Sequence, residues 1–378
     1  MNNLIYFDNA ATTKPSINAL KSAEKFNNQL FFNPSALYRE GLNIAGEIKR
    51  SKELILKSLG VSTNTFDVIF TSCGSESDNM AIFGCVKRGV FVTDKGEHSA
   101  VYKSFLELKN RGLQVEFIDL NIDGGVNERA LYDYVKNNRV DFVSIMHVNN
   151  ETGAINDVNK IAKNIKSINS KIIFHSDGVQ AFGKIPYRLN DYVDLYSISA
   201  HKINALKGVG ALIKRKKLNV SPLIFGGGQE NGLRSGTENV YGIKVFEFAT
   251  KEKYDNLLIN FENAAKIKKY IIDNLDKEIF KVISSENSSP YILSVSAVGL
   301  KGEVLMHILE QENIIVGNGS ACSSKNKYSR IIESCGYDKN VLEGVIRISF
   351  SCENTIEQAK KLVESLNLNG KKLKGIIN

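Results

Sequence analysis

The residues best suited to chemistry are Ser199, His201 and Lys202, which follow an apolar run from Val193 to Ile198. The run predicts a buried strand, and the three polar side chains come directly after it in a short turn. A lysine in a packed turn has a lowered pKa, because burial disfavours its charged form, and its free amine can attack an aldehyde. Such a site suits pyridoxal 5′-phosphate (PLP), since the amine forms a Schiff base and the small polar neighbours bind the phosphate. An ordinary solvated loop with the same residues is the alternative.

A second candidate is the small-residue segment Ser72–Asp78, which follows the apolar run Asp67–Thr71. The pattern predicts a strand, a turn over these small residues, and a helix from Asn79 to Val86. Backbone N–H groups at the start of a helix attract anions. Gly74 would let the backbone approach a ligand, and the Ser75 hydroxyl would add a donor. A capped helix start without any ligand is the alternative.

Asp177 ends the predicted strand that begins at Ile172. An acid in this position can cap a following helix. It can also pair with the protonated pyridine nitrogen of PLP, and that ion pair makes the ring an electron sink. The sequence leaves both roles open.

Cys322 lies in a loop of small residues, Gly317–Lys325, instead of an apolar element. A structural cysteine normally lies in the core. A cysteine flanked by glycine, serine and lysine is predicted to be exposed, with a thiolate favoured by the nearby cations.

Arg347 is a single charge inside the apolar segment Val345–Ser349. A buried arginine is costly unless it faces a carboxylate. The partner is either a substrate carboxylate or a structural salt bridge.

Alternating strand-like and helix-like segments predict a mostly parallel sheet with helices on both faces. We predict a large α/β domain over residues 15–250, and a smaller α+β domain formed by residues 1–14 and 251–378. Ligands of such sheets bind beyond the carboxyl ends of the strands, where the candidate polar residues fall. The glycine-rich segment 226–239 is expected to be a backbone-donor loop near a phosphate or an interface, or else a flexible surface loop.

Length and composition are those of an ordinary globular protein: 378 residues with 43% hydrophobic and 24% charged residues. No apolar run approaches the roughly 20 residues of a membrane helix. The N-terminus lacks the features of a signal peptide, so we expect a cytoplasmic protein. The five cysteines form no C-x-x-C pair, which argues against a zinc site or disulfides. The net charge of +8 could attract RNA or acidic proteins, but such lysine clusters are more often solvated faces, and direct nucleic-acid binding is not predicted.

Taken together, these segments resemble the cysteine desulfurases of the NifS/IscS type, in the class V aminotransferase group of fold-type I PLP enzymes. The resemblance runs from Tyr6 to about Ile356. The segments that carry it, in the order found in the family, are DNAATT (8–13), NPS (33–35), FTS-x-x-SES-x-N (70–79), EH (97–98), HVNNETG (147–153), D-x-x-Q (177–180), S-x-HK (199–202), GGGQENGLRSGTEN (226–239), SACSS (320–324) and IRIS (346–349).

The resemblance implies a role for each candidate. Lys202 would form the Schiff base, His98 would stack on the PLP ring and move protons, Arg347 would bind the substrate carboxylate, and Cys322 would accept the sulfur. Thr237 would reach the phosphate in a neighbouring subunit, which implies a homodimer. No metal is expected. The other implied cofactor-binding residues are Gly74, Ser75, Asn150, Asp177, Gln180, Ser199 and His201.

Two positions depart from the family pattern. Cys73 stands in the phosphate turn where the family usually has a glycine, so it lies beside the cofactor loop with no assigned role. Ala205 and Leu206 replace the usual Gly-Pro after the lysine motif.

The reaction implied is the conversion of L-cysteine to L-alanine with a persulfide on Cys322. The sulfur would pass to an acceptor protein, either an iron–sulfur scaffold or a tRNA-thiolation enzyme. A selenocysteine lyase or another class V PLP enzyme is the nearest alternative, since it shares Lys202 and Asp177 without needing Cys322 to cleave a C–S bond. A non-catalytic nucleotide-binding or scaffold protein is the alternative from another class.

Overall fold

The computed structural model describes residues 4–85, 88–317 and 328–377. Cys322 therefore lies outside the described residues. The strands are, in chain order, β1 (Ile5–Phe7), β2 (Phe66–Thr71), β3 (Val90–Asp94), β4 (Gln114–Ile118), β5 (Phe142–Ser144), β6 (Ile173–Asp177), β7 (Leu195–Ser199), β8 (Gly210–Arg215), β9 (Phe280–Val282), β10 (Ile292–Ala297), β11 (Ile314–Val316) and β12 (Val345–Ser349).

Seven strands form a large sheet in the order β2-β8-β7-β6-β5-β3-β4. All neighbours pair in parallel except β8, which is antiparallel to both β2 and β7. The predicted mostly parallel sheet is therefore confirmed. Strands β2, β6 and β7 run in the same direction, so Thr71, Asp177 and Ser199 all lie at one edge of the sheet.

Side chains that alternate along these strands enter two different cores. In β2, Val68 and Phe70 pack into one core, whereas Ile69 packs into the other. Because both faces of the sheet are covered, the strands are apolar on both sides, as is usual for parallel sheets. This rigid, buried layer holds the ends of the strands at fixed separations.

Helices cover both faces of the large sheet and surround the smaller sheets. Their bounds are α1 (Ile17–Ala23), α2 (Lys25–Asn28), α3 (Arg39–Ser58), α4 (Gly74–Cys85), α5 (Ser99–Asn110), α6 (Glu128–Asn137), α7 (Val158–Ile168), α8 (Val240–Asp255), α9 (Leu257–Asn274), α10 (Gly302–Gln311), α11 (Arg330–Ser334), α12 (Lys339–Glu343) and α13 (Ile356–Ile377). No described helix is long and apolar enough to cross a membrane.

The N-terminal and C-terminal parts of the chain form a second core. Strands β9, β10 and β12 make an antiparallel sheet, and β1 pairs in parallel with β11. An isolated bridge between Gly317 and Arg347 links β11 to β12. The domain boundaries given above, 15–250 against 1–14 with 251–378, stay a prediction.

The start of α4 corrects the sequence prediction. The turn was expected to extend to Asp78, but the helix begins at Gly74. The Cys73 carbonyl accepts hydrogen bonds from Ser77 N (3.2 Å) and from Thr71 Oγ1 (3.0 Å), so these small polar residues stabilise the first helical turn instead of delaying it. Gly74 and Ser75 are therefore at the helix N-terminus itself.

Candidate active site

A cavity of about 700 Å³ opens at the carboxyl ends of β2, β6 and β7. One side is formed by the large sheet, and the other by Arg347 of β12 together with the start of α11. The predicted site residues that line it are Gly74, Ser75, His98, Asn150, Asp177, Gln180, Ser199, His201, Lys202 and Arg347.

Lys202 follows β7 in a single 3-10 turn, Ala200–Lys202. Its Nζ donates hydrogen bonds to the carbonyl oxygens of Ala10 and Ala11, at 2.6 and 2.7 Å. Burial, together with the charge of Arg347, lowers the pKa of Lys202 to about 8. Hydrogen bonds thus fix the position of the Lys202 amine, which becomes nucleophilic at mildly alkaline pH.

Asp177 ends β6 and is 4% exposed. One of its oxygens, Oδ1, accepts a hydrogen bond from the Val179 N–H at 2.9 Å. The next residue must be glycine, because a Cβ on Gly178 would lie 1.9 Å from Cζ of Tyr196. Burial raises the pKa of Asp177 to about 6. The close packing after the strand therefore fixes the direction of this carboxyl group.

Asp78, in the first turns of α4, is a second buried carboxyl at the same edge. Burial raises its pKa well above the ordinary value, and the charge of Asp177 raises it further. Its Oδ1 has no hydrogen-bond partner among the described residues and lies 3.6 Å from Nε2 of His175. Burial lowers the pKa of that histidine to about 3, so the ring is neutral. The charge of Lys202 partly offsets the raised pKa of Asp177, but no lysine or arginine among the described residues forms a salt bridge with either carboxyl.

His98 caps α5, with its Nδ1 accepting from the Ala100 N–H at 3.2 Å. His98 is exposed at the mouth of the cavity, but many protein atoms surround its ring. This burial lowers the pKa of His98 to about 4, and the charges of Lys202, Arg330 and Arg347 act in the same direction. A ring nitrogen of His98 and a carboxylate oxygen from each of Asp78 and Asp177 lie within 4.8 Å of one another. The ring is neutral near pH 7 beside the two carboxyls.

Arg347 lies in β12 and points into the cavity. Its Nη2 donates to Asp8 Oδ1 at 2.8 Å, and its Nη1 donates to the carbonyl oxygen of Asn150 at 2.9 Å. The buried Nε has no partner among the described residues, and neither has Asn150 Oδ1. A Cβ on Gly317 would lie 2.5 Å from Asp8 Oδ1, so glycine there makes room for the ion pair. The salt bridge leaves part of the guanidinium available to a ligand.

A candidate anion subsite lies at the N-terminus of α4. The Ser199 hydroxyl is buried and has no hydrogen-bond partner among the described residues. Its Oγ would lie 3.9 Å from a Cβ placed on Gly74, so it faces the start of the helix. His201 is held nearby, with its Nδ1 3.1 Å from Thr12 Oγ1. Free helix N–H groups and an unpaired hydroxyl suit an anion.

Comparisons with known proteins agree with this geometry. The family model for Aminotransferase class-V matches residues 5–362. The chain belongs to this family.

Among curated class V relatives, the NifS/IcsS protein homolog of Lactobacillus delbrueckii subsp. bulgaricus is 35% identical over 380 residues, covering 96% of each chain. The cysteine desulfurase IscS of Dictyoglomus turgidum is 33% identical, covering 98% of this chain and 96% of the relative. A solved structure named NIFS-LIKE PROTEIN superposes with a TM-score of 0.91 at 31% identity, covering 98% of this chain and 100% of the other. The predicted resemblance to cysteine desulfurases and the predicted fold class, PLP-dependent transferase fold type I, are confirmed.

Two predicted residues of this class V chain are not seen in the cavity. Thr237 is exposed and does not line it. The loop that carries Thr237 is nevertheless tied to the phosphate turn, because Arg234 Nε donates to Glu76 Oε1 at 2.9 Å and Glu76 accepts from the Ser72 N–H at 2.7 Å. Cys322 lies outside the described residues, so its position is not assigned.

Sequence reasoning missed Arg330, which follows the undescribed segment and lines the cavity. Its guanidinium lies 3.7 Å from the centre of the Tyr102 ring. It also donates to the carbonyl oxygens of Lys95 and Glu97, the latter at 2.5 Å. Arg330 thus joins α11 to the loop that carries His98. A lone arginine before an apolar stretch was the only signal in the sequence.

We expect Arg330→Ala to lower the free energy of unfolding by about 1–3 kcal/mol, because two carbonyl groups lose their charged donor and the Tyr102 ring loses its cation. Arg330→Lys should recover little, since an ammonium cannot reproduce the planar fork. Urea denaturation measures the change. The matched control is Arg129→Ala, whose side chain is 94% exposed. Equal stabilities of the Arg330 and Arg129 variants would contradict the assigned contacts.

Proposed function

We propose that this chain is a cysteine desulfurase that uses pyridoxal 5′-phosphate to convert L-cysteine to L-alanine and passes the sulfur on through Cys322. The observation that carries the proposal is the meeting of Lys202, Asp177 and Arg347 on one cavity. A lysine amine, a buried acid and a carboxylate-binding arginine are what an amino-acid-converting PLP enzyme needs. The relatives named as cysteine desulfurases support this choice among such enzymes.

The residues of the cavity fit the cofactor. The unpaired Ser199 hydroxyl and the N-terminus of α4 suit its phosphate, with Gly74, Ser75 and His201 beside them. No lysine or arginine in the described part of the chain forms a salt bridge with either buried carboxyl, and a protonated ring nitrogen would give Asp177 such a partner. Gln180 and Asn150 also line the cavity and would lie near the ring oxygen. Bound there, PLP would supply an aldehyde for the amine of the substrate and a ring that accepts electrons.

Lys202 and His98 would handle the protons of the reaction. The Lys202 amine donates hydrogen bonds to two carbonyl groups. It would give up these hydrogen bonds to take part in proton transfer. His98 is neutral near pH 7, so it can hold a proton only briefly and return it. The Ala100 N–H occupies Nδ1 of the ring, so exchange with a substrate would use Nε2.

We predict that the capture of PLP by the cofactor-free chain speeds up as the pH rises towards about 8 and then levels off. The unprotonated amine of Lys202 is the reactive form, and its pKa is lowered to about 8. Well below that pH, the rate should rise about tenfold per pH unit. Stopped-flow measurement of the visible absorbance of the bound cofactor gives the rate. An inflection near the ordinary lysine value of about 10.4 would contradict the prediction.

Arg347 would bind the substrate carboxylate and so select α-amino acids. We expect Arg347→Gln to lower kcat/KM for L-cysteine by on the order of 10- to 100-fold, because a charge-assisted hydrogen bond contributes about 1.5–3 kcal/mol. Arg347→Lys should retain part of the affinity. Steady-state kinetics measure the change, and the absorbance of the bound cofactor, recorded in parallel, should stay the same. An unchanged KM would show that Arg347 does not bind the substrate and only forms the structural salt bridge to Asp8.

Cys322 would attack the substrate sulfur and carry it away as a persulfide. Cys322 is within six residues of both Gly317 and Tyr328. Gly317 adjoins Arg347, and Tyr328 lines the cavity. The described residues that flank the segment of Cys322 therefore lie at or beside the cavity, which supports the proposed role of its thiol.

The sulfur would go to an acceptor protein, an iron–sulfur scaffold or a tRNA-thiolation enzyme. The enzyme would be a homodimer, in which the exposed Thr237 contacts the phosphate held by the partner chain. The cytoplasm, predicted from the sequence, suits an enzyme whose thiols must stay reduced.

The test of the proposal is the product formed from L-cysteine alone by the purified, yellow protein. Alanine without a keto-acid co-substrate supports a desulfurase. Pyruvate, or a requirement for a keto acid, would indicate a lyase or an aminotransferase of the same fold. A strong preference for selenocysteine over cysteine would favour the selenocysteine lyase.

A further inference from the structure

Cys73 is a half-buried, free thiol that lines the cavity directly before Gly74. The backbone at this position is held in place, since the Cys73 carbonyl accepts from Thr71 Oγ1 at 3.0 Å and from Ser77 Oγ at 3.3 Å. Gly210 packs against the same backbone, because a Cβ there would lie 2.5 Å from the Cys73 carbonyl carbon. Any group added to Cys73 must therefore fit next to the fixed start of α4.

The neighbouring subsite has groups that suit a polar ligand. The Ser199 hydroxyl is 2% exposed, has no partner among the described residues and faces the start of α4. A buried hydroxyl without a hydrogen bond is costly, so it indicates a polar ligand at this point. The N-terminus of the helix favours an anion as this ligand. Cys73 adjoins this anion subsite.

We propose that Cys73 is a redox-modification site that controls loading of the cofactor. In the cofactor-free chain, Cys73 reacts with a low-molecular-weight disulfide such as cystine, and the mixed disulfide excludes the PLP phosphate. A bound phosphate in turn shields the thiol. This inference rests on the proposed function, because it requires PLP to be the ligand of the cavity.

The exchange step balances with cystine as the oxidant. The Cys73 thiolate attacks one sulfur of cystine, the S–S bond of cystine breaks, and a new S–S bond joins Cys73 to one cysteine. The other cysteine leaves as a thiolate and takes up a proton. Cys73 is oxidised and the released cysteine is reduced. The attached cysteine also carries a carboxylate, which can occupy the anion subsite in place of phosphate.

The other described cysteines differ from Cys73 in reactivity or place. Burial raises the pKa of Cys85 and of Cys335 to about 12, so both thiols are unreactive near neutral pH. Cys352 is exposed, and Lys253 Nζ lies 3.1 Å from its sulfur, but it does not line the cavity. Cys352 is therefore an internal control for an accessible thiol that the cofactor does not cover.

The experiment treats the Cys322→Ser chain with cystine, with and without prior loading of PLP, and maps the mixed disulfides by peptide mass spectrometry. We expect Cys73 to react at least about tenfold more slowly in the loaded chain, and Cys352 to react equally in both. The modified chain should not take up PLP, measured by absorbance, until a thiol reductant restores it. The additional variant Cys73→Ser should load PLP equally well with or without cystine. Circular dichroism before and after cystine shows that the fold is retained.

Equal reaction of Cys73 in loaded and cofactor-free chains would overturn the inference, as would undiminished PLP uptake by the modified chain. Both of these results leave the proposed function intact, because the unmodified chain still loads PLP. Failure of the unmodified chain and of Cys73→Ser to take up PLP would instead overturn the proposed function, and the inference with it.

Discussion

Replacement of Cys322 by serine is expected to abolish sulfur transfer while leaving the binding of the cofactor and of L-cysteine intact. The hydroxyl of serine is a far weaker nucleophile than a thiolate, so turnover should fall by on the order of 10³-fold or more. The described residues that line the cavity include the lysine, the acid and the arginine that bind the cofactor and the substrate in this proposal. The variant should therefore still be yellow and still change its absorbance when L-cysteine is added.

The matched control for this variant is Cys352→Ser, which removes an exposed thiol outside the cavity. Multiple-turnover assays of alanine and of sulfide released by a reductant measure both variants. Activity lost equally in the two variants would show a general effect of thiol removal. Full turnover by Cys322→Ser would remove Cys322 from the mechanism and favour the selenocysteine lyase alternative.

Lys202→Ala should lose both the covalent attachment of PLP and nearly all turnover. Its amine is the one at the end of β7, held by the carbonyl groups of Ala10 and Ala11. Loss of a group that binds the cofactor and moves protons should cost at least about 10²- to 10⁴-fold in rate. Borohydride reduction followed by peptide mass spectrometry shows which lysine carries the cofactor.

Two other lysines make this test specific. Lys207 is exposed five residues further along the chain, so Lys207→Ala is the matched control and should keep the attachment at Lys202. Lys184 is buried, donates to Gln180 Oε1 at 2.8 Å and has a pKa well below its ordinary value, because burial disfavours its charge. Attachment of PLP to Lys184 in the wild-type chain would contradict the assignment of Lys202.

The sequence was sufficient to predict the residues at the ends of strands. Asp177 ends one predicted strand and Lys202 follows another, and in a parallel sheet the carboxyl ends of the strands meet at one edge. Asp78 was missed because the helix was expected to start at Asn79. It actually starts at Gly74 and turns Asp78 towards Asp177. The error in one helix boundary hid one of the two buried carboxyls.

Two helices show where local pattern fails. The amphipathic pattern after Gly46 predicts a helix over residues 46–59, but α3 begins at Arg39. Gly41 lies inside this helix as a packing residue, since a Cβ there would lie 2.6 Å from the Ala36 carbonyl oxygen. The helix Val240–Asp255 was not predicted. Its buried side chains include Lys244, whose Nζ donates to Glu47 on another helix at 2.9 Å. Because charged residues also lie on the buried face, the sequence lacks the usual pattern of one apolar and one charged face.

Contacts across the chain were beyond the reach of sequence patterns. Arg330 is separated from Lys95 by 235 residues, and no periodicity links the two. Arg347 was expected to face a carboxylate, and Asp8 is one such partner, 339 residues away. The roles of Thr237 and Cys322 stay predictions, since the first depends on a second subunit and the second lies outside the described residues.

The most direct measurement is the fate of the sulfur in a single turnover. The loaded enzyme is mixed with less than one equivalent of L-cysteine without a reductant, and alanine and the masses of the cysteine-containing peptides are determined. The account predicts one added sulfur atom on the Cys322 peptide for each alanine formed. Alanine formed while the sulfur appears only as free sulfide, or on another cysteine, would contradict it.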